Sequence, residues 1–352
     1  MKHNLKRTRA IKIAFLLDPM EKIHLEWDSS MSLMMEAERR GHRVFYVEPR
    51  ELFYRDKTIF ARAREVSTSR ENGFRILNET TLDLKTCDAV FNRKDPPFDM
   101  AYYSLTLLLD LLAPHTLVVN SPAGLRKANE KLYILEFPEW IPPTLVSNNP
   151  EQILAFGRAH KTDLILKPLD QKGGEGIKLL PLNSAQKGVI LRRQPKDLRA
   201  QILRFAQNDK GGFNILKPMT HSGTRWIVAQ KFLKKNLTHG DKRILLLNGN
   251  AIGQFSRIPK AGEYRSNLSL GGKAVRAVLT SKERKLVKAL RPKLLRDGLY
   301  FVGLDVVDER LIEINVTSPA GFPEINELEG KRPEVLVVDF LQKLALRRRS
   351  SR

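Results

Sequence analysis

Two carboxylates and one amide stand close together near the C-terminal end of the sequence, where they could bind a cation jointly. Asp305 lies in the apolar, β-branched run Val302–Val307. Glu313 and Asn315 lie in a second such run, Leu311–Thr317. A short polar segment of turn-forming residues separates the runs, and this pattern predicts an antiparallel hairpin. Asn315 shares the face of Glu313 because side chains alternate along a strand.

The register of this hairpin decides what chemistry the three side chains can do. A three-residue loop over 308–310 places Asp305 directly opposite Glu313, whereas a two-residue loop breaks that alignment. Like charges opposite each other destabilise a strand pair, and a divalent cation between them removes the conflict. Oxygen donors suit Mg²⁺, which often uses one or two carboxylates together with substrate phosphates. The alternative is a set of solvated polar residues on an exposed face of the sheet.

The N-terminal part of the sequence has the strand–helix–strand order of a parallel α/β sheet. Ile11–Leu17 is predicted to be a buried strand. Asp28-Ser29-Ser30 offers an N-cap for a helix over Met31–Arg40, which a glycine closes. Arg43–Val47 is predicted to be the second strand of this sheet.

A charged loop with two prolines follows the next predicted strand, Asp88–Asn92. This loop, Arg93–Asp99, lies at the carboxyl end of its strand, where open α/β sheets bind ligands, and its alternative interpretation is a plain connector. Leu117–Asn120 is predicted to be one more strand. The helix predicted over Leu125–Leu135 contains Lys131, and a lone lysine on such a helix is usually only solvated.

A glycine-rich loop follows the strand predicted over Asp163–Lys167. Glycines at 173, 174 and 176 let backbone N–H groups approach phosphate oxygens closely, and Lys167 puts a positive charge at the end of an apolar strand. The stretch lacks the Gly-Lys-Ser/Thr ending of a Walker loop and opens no GxGxxG helix. The glycine-rich loop is therefore interpreted either as a phosphate-binding loop or as an ordinary hairpin turn.

Two long polar segments interrupt the pattern of strands. The segment from about 187 to 217 is strongly basic and is interpreted as a surface insertion between two strands, with an amphipathic stretch over 198–206 that Gly211-Gly212 ends. The segment 257–273 contains glycines and lacks apolar periodicity, which is typical of a mobile active-site lid. It follows a hairpin predicted by Asn248-Gly249.

The charge balance is unusual, because 61 Lys and Arg residues stand against 39 Asp and Glu residues in 352, a net charge of +22. This excess fits nucleic acid or another anionic partner, or background composition in a protein that binds small anions. Part of it lies in basic tails over 1–10 and 347–352, which we expect to be frayed. Charges and proline interrupt the longest apolar stretch, 103–119, so it is not a membrane span. The single cysteine, Cys87, excludes an internal disulfide and favours the cytoplasm.

Four separated motifs occur in the order typical of ATP-grasp ligases. They are Lys131, Lys167 with its glycine loop, Gly240-Asp241-Lys242-Arg243, and the hairpin of Asp305, Glu313 and Asn315. Three longer strings are more specific: Arg93–Asp99, Ile165–Asp170, and Val302–Asp305 continued by Glu313–Pro319. Nearly the whole chain, from about Ile11 to about Leu344 but without the basic insertion, resembles bacterial-type glutathione synthetases. The stretch 320–325 departs from the family's usual Thr and from the Arg that often precedes the Glu.

The resemblance implies an α/β protein in which an N-terminal parallel α/β domain precedes an ATP-grasp fold, two α+β subdomains that clamp ATP. The N-terminal substrate domain is then 11–122, and the ATP-grasp domain is 123–346. The family reaction joins γ-glutamylcysteine and glycine into glutathione through an acyl phosphate and releases ADP and phosphate. The expected cofactors are two Mg²⁺ ions, with Mn²⁺ as a substitute, and ATP is a co-substrate.

The resemblance also implies roles for individual residues. Those expected to bind ATP are Lys131, Lys167, Gly173, Gly174, Gln230 and Asp241. Those expected to hold the metal ions are Asp305, Glu313 and Asn315. Those expected to stabilise the acyl phosphate as catalytic groups are Arg243 and Arg265. Those expected to contact substrate are Asp28, Ser29, Arg93, Asp95, Asn267, Gly271, Gly272 and Ser318.

Two other functions stay open at this point. One is a different ATP-grasp carboxylate–amine ligase, against which the Arg93–Asp99 string argues because it belongs to the substrate domain of the glutathione enzymes. The other is a nucleic-acid-binding protein, which the charge favours but the scarcity of aromatic residues in the basic segment disfavours: it has only Phe205 and Phe213. We expect a cytoplasmic homo-oligomer that acts on small molecules and has no membrane or nucleic-acid partner.

Overall fold

Three β-sheets organise residues 9–182 and 209–350, which are the residues that this computed structural model describes. The first sheet has six strands in the order β4-β3-β2-β1-β5-β6. Its strands are β1 (Lys12–Leu16), β2 (Arg43–Arg55), β3 (Thr58–Ser69), β4 (Gly73–Asp83), β5 (Ala89–Asn92) and β6 (Leu117–Val119). Strands β1, β2, β5 and β6 run parallel, which confirms the predicted α/β core.

The outer part of this sheet was not predicted. Strand β2 continues far beyond Val47, and β3 and β4 add to it in antiparallel order. The extension of β2 mixes charged residues and a proline with Leu52, Phe53 and Tyr54 and is mostly half-buried or exposed, so it lacks the continuous apolar run on which the prediction of β2 rested. Asp56 and Lys57 form the tight turn between β2 and β3 with positive φ angles of 50° and 59°.

Helices cover the parallel part of the sheet and begin at caps that the sequence provides. They are α1 (Ser29–Arg39), α2 (Met100–Leu112) and α3 (Pro122–Lys127). The Asp28 carboxylate accepts hydrogen bonds from Ser30 N and Met31 N, which confirms it as the N-cap of α1. The helix expected over 125–135 is wrong beyond Lys127. It ends at Lys127, because Ala128 leaves the helical region and the Asn129 side chain accepts from the Lys131 and Leu132 amides.

The second sheet has four antiparallel strands in the order β7-β10-β8-β9. They are β7 (Thr144–Ser147), β8 (Leu164–Pro168), β9 (Lys178–Leu180) and β10 (Ile227–Lys231). Helices α4 (Pro150–Ala159) and α5 (Asp209–Met219) supply the rest of its apolar core, which includes Leu154 and Leu216. Side chains at the ends of β8 and β10 are therefore held in place by a packed apolar core.

Helix α5 corrects the predicted surface insertion over about 187–217. Gly211 and Gly212 lie inside this helix and do not end it, and Leu216 is fully buried in the core of the second sheet. The amphipathic stretch expected over 198–206 lies outside the described residues. The last described part of the insertion is thus structural core.

The third sheet has five antiparallel strands in the order β13-β12-β11-β14-β15. They are β11 (Asp241–Leu247), β12 (Asn250–Ile258), β13 (Lys273–Arg276), β14 (Phe301–Val307) and β15 (Arg310–Asn315). Its accompanying helices are α6 (Asn236–His239), α7 (Ser281–Arg296), α8 (Phe322–Glu329) and α9 (Pro333–Ser350). Within the described ranges, no helix combines the length and apolar character that a membrane crossing requires.

The basic C-terminal tail does not fray over its described part. Helix α9 continues to Ser350, Arg349 forms an ion pair with Asp88, and Arg348 donates to the Ala113 carbonyl. Residues 1–8 and 351–352 of the two tails lie outside the described residues.

Candidate active site

The β14–β15 hairpin places Asp305 directly opposite Glu313, as predicted, but by a different route. The turn has two residues, Asp308 and Glu309, with φ angles of 50° and 60°. A register shift between Asp305 and Val306 leaves Ile312 without a counterpart on β14. This one-residue bulge restores the alignment that a two-residue turn alone would have broken.

Asp305 is held by two buried arginines. Arg243 Nε and Nη2 lie 2.6 and 3.1 Å from its two oxygens, and Arg257 Nη2 lies 3.0 Å from Oδ2. Arg257 also makes two 2.7 Å bonds to Asp241, so that two carboxylates and two guanidinium groups form one buried network. Burial alone would raise the pKa of Asp305, but the two guanidinium charges outweigh it and hold that pKa below its usual range.

Arg257 was not recognised as a site residue from the sequence, where it only began the lid segment. A hairpin counted outward from Asn248-Gly249 pairs Asp241 with Ser256. In the structure a register shift in this hairpin pairs Asp241 with Arg257. The pairing of Arg257 with Asp241 therefore depends on the position of a bulge, which residue types alone do not reveal.

Two lysines approach the hairpin from the side of the second sheet. Lys167 Nζ donates to Gln230 Oε1 at 3.0 Å and to the Ile312 carbonyl at 3.1 Å. Lys131 Nζ donates to the Gln171 carbonyl at 2.6 Å and lies 3.4 Å from Glu313 Oε1. Burial lowers the pKa of Lys167 to about 8, although the negative charge of Glu313 acts to raise that pKa. The structure thus brings together the predicted ATP-binding lysines and Glu313.

The glycine loop is in contact with the predicted lid. Gly173 and Gly174 have positive φ angles of 61° and 82°, and a Cβ at Gly174 would meet Asn267 Oδ1 at 2.5 Å. Glycine is therefore required where the two segments meet. Arg265 Nη1 donates to the Gly174 carbonyl at 3.3 Å, while its Nη2 pairs with Glu263 at 2.7 Å. These contacts place the lid segment over the loop.

The predicted substrate residues at the start of α1 make structural contacts, and their contact with substrate stays a prediction. Asp28 caps the helix, and Ser29 Oγ accepts from the Gly321 and Phe322 amides at 3.0 and 3.2 Å. Arg93 is buried nearby and donates to Ser30 Oγ at 3.2 Å. Serine hydroxyls thus tie α1 to both the charged loop and the start of α8.

Arg93 keeps unused hydrogen-bonding capacity. Its guanidinium lies 5.8 Å from the Phe91 ring centre and 5.6 Å from that of Phe301. Burial lowers its pKa, and within the described part of the chain its Nη1 has no hydrogen-bond partner. A buried cation with a free donor is suited to bind an anionic group of a ligand.

The other predicted substrate residues lie on the loops around the site. Asp95 pairs with Lys172 of the glycine loop at 2.8 Å. Gly272 N donates to the Asn267 carbonyl at 3.3 Å, and Gly271 ends a short 3₁₀ turn in the lid. Ser318 is half-buried just beyond β15. Contact with substrate stays a prediction for each of these residues.

Glu130 is a half-buried carboxylate beside Lys131 that was not predicted as a site residue. Its Oε1 accepts from Val316 N at 2.9 Å, Thr317 N at 3.1 Å and Thr317 Oγ1 at 2.8 Å. Its backbone carbonyl also accepts from Ile314 N at 3.0 Å. Glu130 therefore fixes the end of β15 beside Lys131.

The predicted metal ligands have the donor chemistry of a Mg²⁺ site, because Asp305, Glu313 and Asn315 carry carboxylate or amide oxygens on adjoining strand positions. Among residues 9–182 and 209–350, however, no group of three or more His, Cys, Asp or Glu side chains could hold a metal ion. Asn315 Nδ2 donates to Asp305 Oδ2 at 3.2 Å. The side-chain oxygens are of the type that Mg²⁺ prefers, and those of Asp305 accept hydrogen bonds from Arg243 and Asn315 in this structure.

Comparison with known families gives a consistent result over both halves of the chain. Residues 11–126 match the N-terminal domain of prokaryotic glutathione synthetase, and residues 130–195 and 181–330 match its ATP-grasp domain. The glutathione synthetase of Synechocystis sp. is 36% identical over 345 residues, which cover 95% of this chain and 99% of that protein. That of Nitrosomonas europaea is 39% identical over 339 residues, with coverage of 94% and 98%.

Solved structures support the same fold. A D-cycloserine synthetase superposes with a TM-score of 0.60 at 14% identity, covering 96% of this chain and 99% of its own. An ATP-grasp RimK domain protein from Sphaerobacter thermophilus gives 0.55 at 16%, with coverage of 94% and 98%. This confirms the predicted combination of an α/β N-terminal domain with an ATP-grasp fold. The chain belongs to the prokaryotic glutathione synthetase family, and it is an ATP-dependent ligase.

Proposed function

We propose that the site described above ligates γ-glutamylcysteine to glycine at the expense of ATP. In this reaction the cysteinyl carboxylate takes the terminal phosphoryl group of ATP, the amine of glycine attacks the acyl phosphate, and phosphate leaves. One observation carries the proposal: Lys131, Lys167, Glu313 and the Arg243–Asp305 pair converge at one place in a chain of this family. Catalysis then consists of positioning and charge neutralisation.

The nucleotide lies between the second and third sheets in this proposal. Lys131 and Lys167 hold phosphate oxygens, and Gly173 and Gly174 add backbone N–H groups. Gln230, which fixes Lys167 through its side-chain oxygen, lies near the adenine. Asp241 contributes through its bidentate pair with Arg257.

The residues that would hold Mg²⁺, or Mn²⁺ in its place, are Asp305, Glu313 and Asn315. Bound there, the metal would neutralise negative charge on the phosphates during transfer. Arg243 is positioned to stabilise the acyl phosphate, because its guanidinium is fixed by Asp305 and by the Ala320 carbonyl at 3.2 Å.

The lid completes the site in this proposal. Arg265 contacts the glycine loop through the Gly174 carbonyl, which joins the lid to the proposed phosphate site. A closed lid excludes water, which would otherwise hydrolyse the acyl phosphate. A cytoplasmic location and a homo-oligomeric state stay predictions beside this function.

An assay of the purified protein with several acceptor amines tests the proposal. With ATP, Mg²⁺ and γ-glutamylcysteine, we expect glycine to give glutathione and ADP in equal amounts, and glutamate or D-serine to give little product. Preferred use of another amine would replace the proposal with a different carboxylate–amine ligase. A lack of ADP formation with γ-glutamylcysteine and any amine would contradict it.

A further inference from the structure

Glu324 is a buried carboxylate that no part of the proposed mechanism uses. It lies in the first turn of α8, where it is 9% exposed. Among residues 9–182 and 209–350, its Oε2 atom has no hydrogen-bond partner. Buried polar atoms are nearly always paired, and a carboxylate oxygen left unpaired is costly. Such an atom calls for a ligand or a proton.

The contacts around Glu324 fix the start of its helix next to Arg243 and, within the described ranges, leave its Oε2 atom unpaired. Arg243 Nη1 donates to the Ala320 carbonyl, and Ser29 Oγ accepts from the Gly321 and Phe322 amides. These bonds set the start of α8 between α1 and β11. Arg243, which holds Asp305, is thus attached to the same turn of chain that presents Glu324.

Three charged groups act on Glu324 from the elements around it. They are Arg243 on β11, Arg257 on β12 and Glu327 on its own helix. Neither arginine forms an ion pair with Glu324, because both direct their bonds to Asp305 and Asp241. Burial raises the pKa of Glu324, and the two guanidinium charges oppose that change. The Glu324 carboxylate therefore lies near two guanidinium groups, while its Oε2 atom remains free to accept a proton.

We propose that Glu324 is the general base of the amine-transfer step and takes a proton from the ammonium group of the incoming glycine. This inference rests on the proposed ligation of glycine. At neutral pH glycine carries an ammonium group without a lone pair, so it cannot attack a carbonyl carbon until it loses a proton. A buried carboxylate with a raised pKa is a better match to this task than a solvated one.

One ammonium proton moves to Glu324 Oε2, which leaves a neutral amine and a protonated carboxyl. The amine nitrogen forms a bond to the acyl carbon, and the bond from that carbon to the phosphate oxygen breaks. The second proton leaves the nitrogen with the departing phosphate. Glu324 then releases its proton to water before the next turnover.

The test compares Glu324→Gln with Glu327→Gln, which removes an exposed carboxylate from the same helix. Each variant receives ATP, Mg²⁺ and γ-glutamylcysteine with either glycine or hydroxylamine. Hydroxylamine is largely uncharged at pH 7.5 and attacks an acyl phosphate without a base. For Glu324→Gln we expect glycine turnover to fall by about 100-fold, within the usual range for loss of a general base. Hydroxamate formation should stay at the wild-type rate.

Other outcomes separate the possible failures. Glycine turnover at the wild-type rate in Glu324→Gln would overturn the inference, as would an equal loss with both nucleophiles, which indicates a structural role. The wild-type pH profile should have an acidic limb that Glu324→Gln lacks, and Glu327→Gln should keep it. A wild-type protein inactive with both nucleophiles would overturn the proposed function itself.

Discussion

Lys167 Nζ donates at 3.1 Å to the carbonyl of Ile312, the residue of β15 that has no counterpart on β14. The bulge therefore has two consequences. It aligns Asp305 with Glu313 across the hairpin, and it directs a main-chain carbonyl towards the ammonium group at the end of β8. A single irregularity links the second sheet to the third at the proposed site of phosphoryl transfer.

We predict that Glu313→Gln lowers ligation by at least about 10–100-fold, the range typical of disturbed metal coordination, while the fold survives. The substitution removes one proposed metal ligand and the ion partner of Lys131. Activity should recover in part at high Mg²⁺. The measurement is turnover against Mg²⁺ concentration, with Asp308→Asn in the turn of the same hairpin as the control. Unchanged turnover at ordinary Mg²⁺ would rule out the metal assignment.

ATP affinity should decrease above pH 8 because of Lys167. Burial lowers its pKa to about 8, so the free enzyme loses this proton as the pH rises, while bound phosphates favour the charged form. For one linked proton the dissociation constant should rise by up to about tenfold per pH unit. Calorimetric titration from pH 7 to 10 measures this. Lys167→Arg should flatten the dependence, and an equal slope in that variant would show that another group is responsible.

Arg265→Ala should uncouple ATP hydrolysis from ligation. Arg265 joins the lid to the glycine loop through the Gly174 carbonyl, so its loss lets water reach the acyl phosphate. We expect turnover to fall more than ATP affinity, and the ratio of phosphate released to glutathione formed to rise above one at saturating glycine. A ratio of one with weaker nucleotide binding would instead make Arg265 a static ATP contact.

Two deletions in the basic segment should behave differently. Replacement of 191–206 by a short linker is expected to leave activity largely intact, because none of the residues assigned to the site lies there. A deletion of 191–216 should destabilise the protein, since it removes the fully buried Leu216 and most of α5. Loss of one such leucine costs about 2–5 kcal/mol. Thermal unfolding with a ligation assay checks both, and a stable, active 191–216 deletion would contradict the role of α5.

The predictable part of the fold was the part with regular periodicity and turn signals. Asn248-Gly249 marked one hairpin, and Asp28 marked the start of α1. The outer strands β3 and β4 were missed for different reasons: β4 is polar and largely exposed, whereas the buried apolar residues of β3, such as Ile59 and Ala63, alternate with polar or half-buried ones. The end of α3 depended on the Asn129 side chain, which accepts from the Lys131 and Leu132 amides and so competes locally with helix formation.

The sequence motifs predicted which residues form the centre of the site. Asp305, Glu313, Lys131 and Lys167 converge as the motifs indicated. Arg257 could not be placed, since bulges shift strand registers by one residue and long-range pairing decides where they occur.

The fate of the cysteinyl carboxylate oxygen tests the central claim most directly. γ-Glutamylcysteine labelled with ¹⁸O in that carboxylate would be turned over with ATP, Mg²⁺ and glycine, and the released phosphate would be analysed by mass spectrometry. Because an acyl-phosphate route transfers one carboxylate oxygen to each phosphate, we expect every released phosphate to carry one labelled oxygen. Unlabelled phosphate formed together with a full yield of glutathione would contradict it.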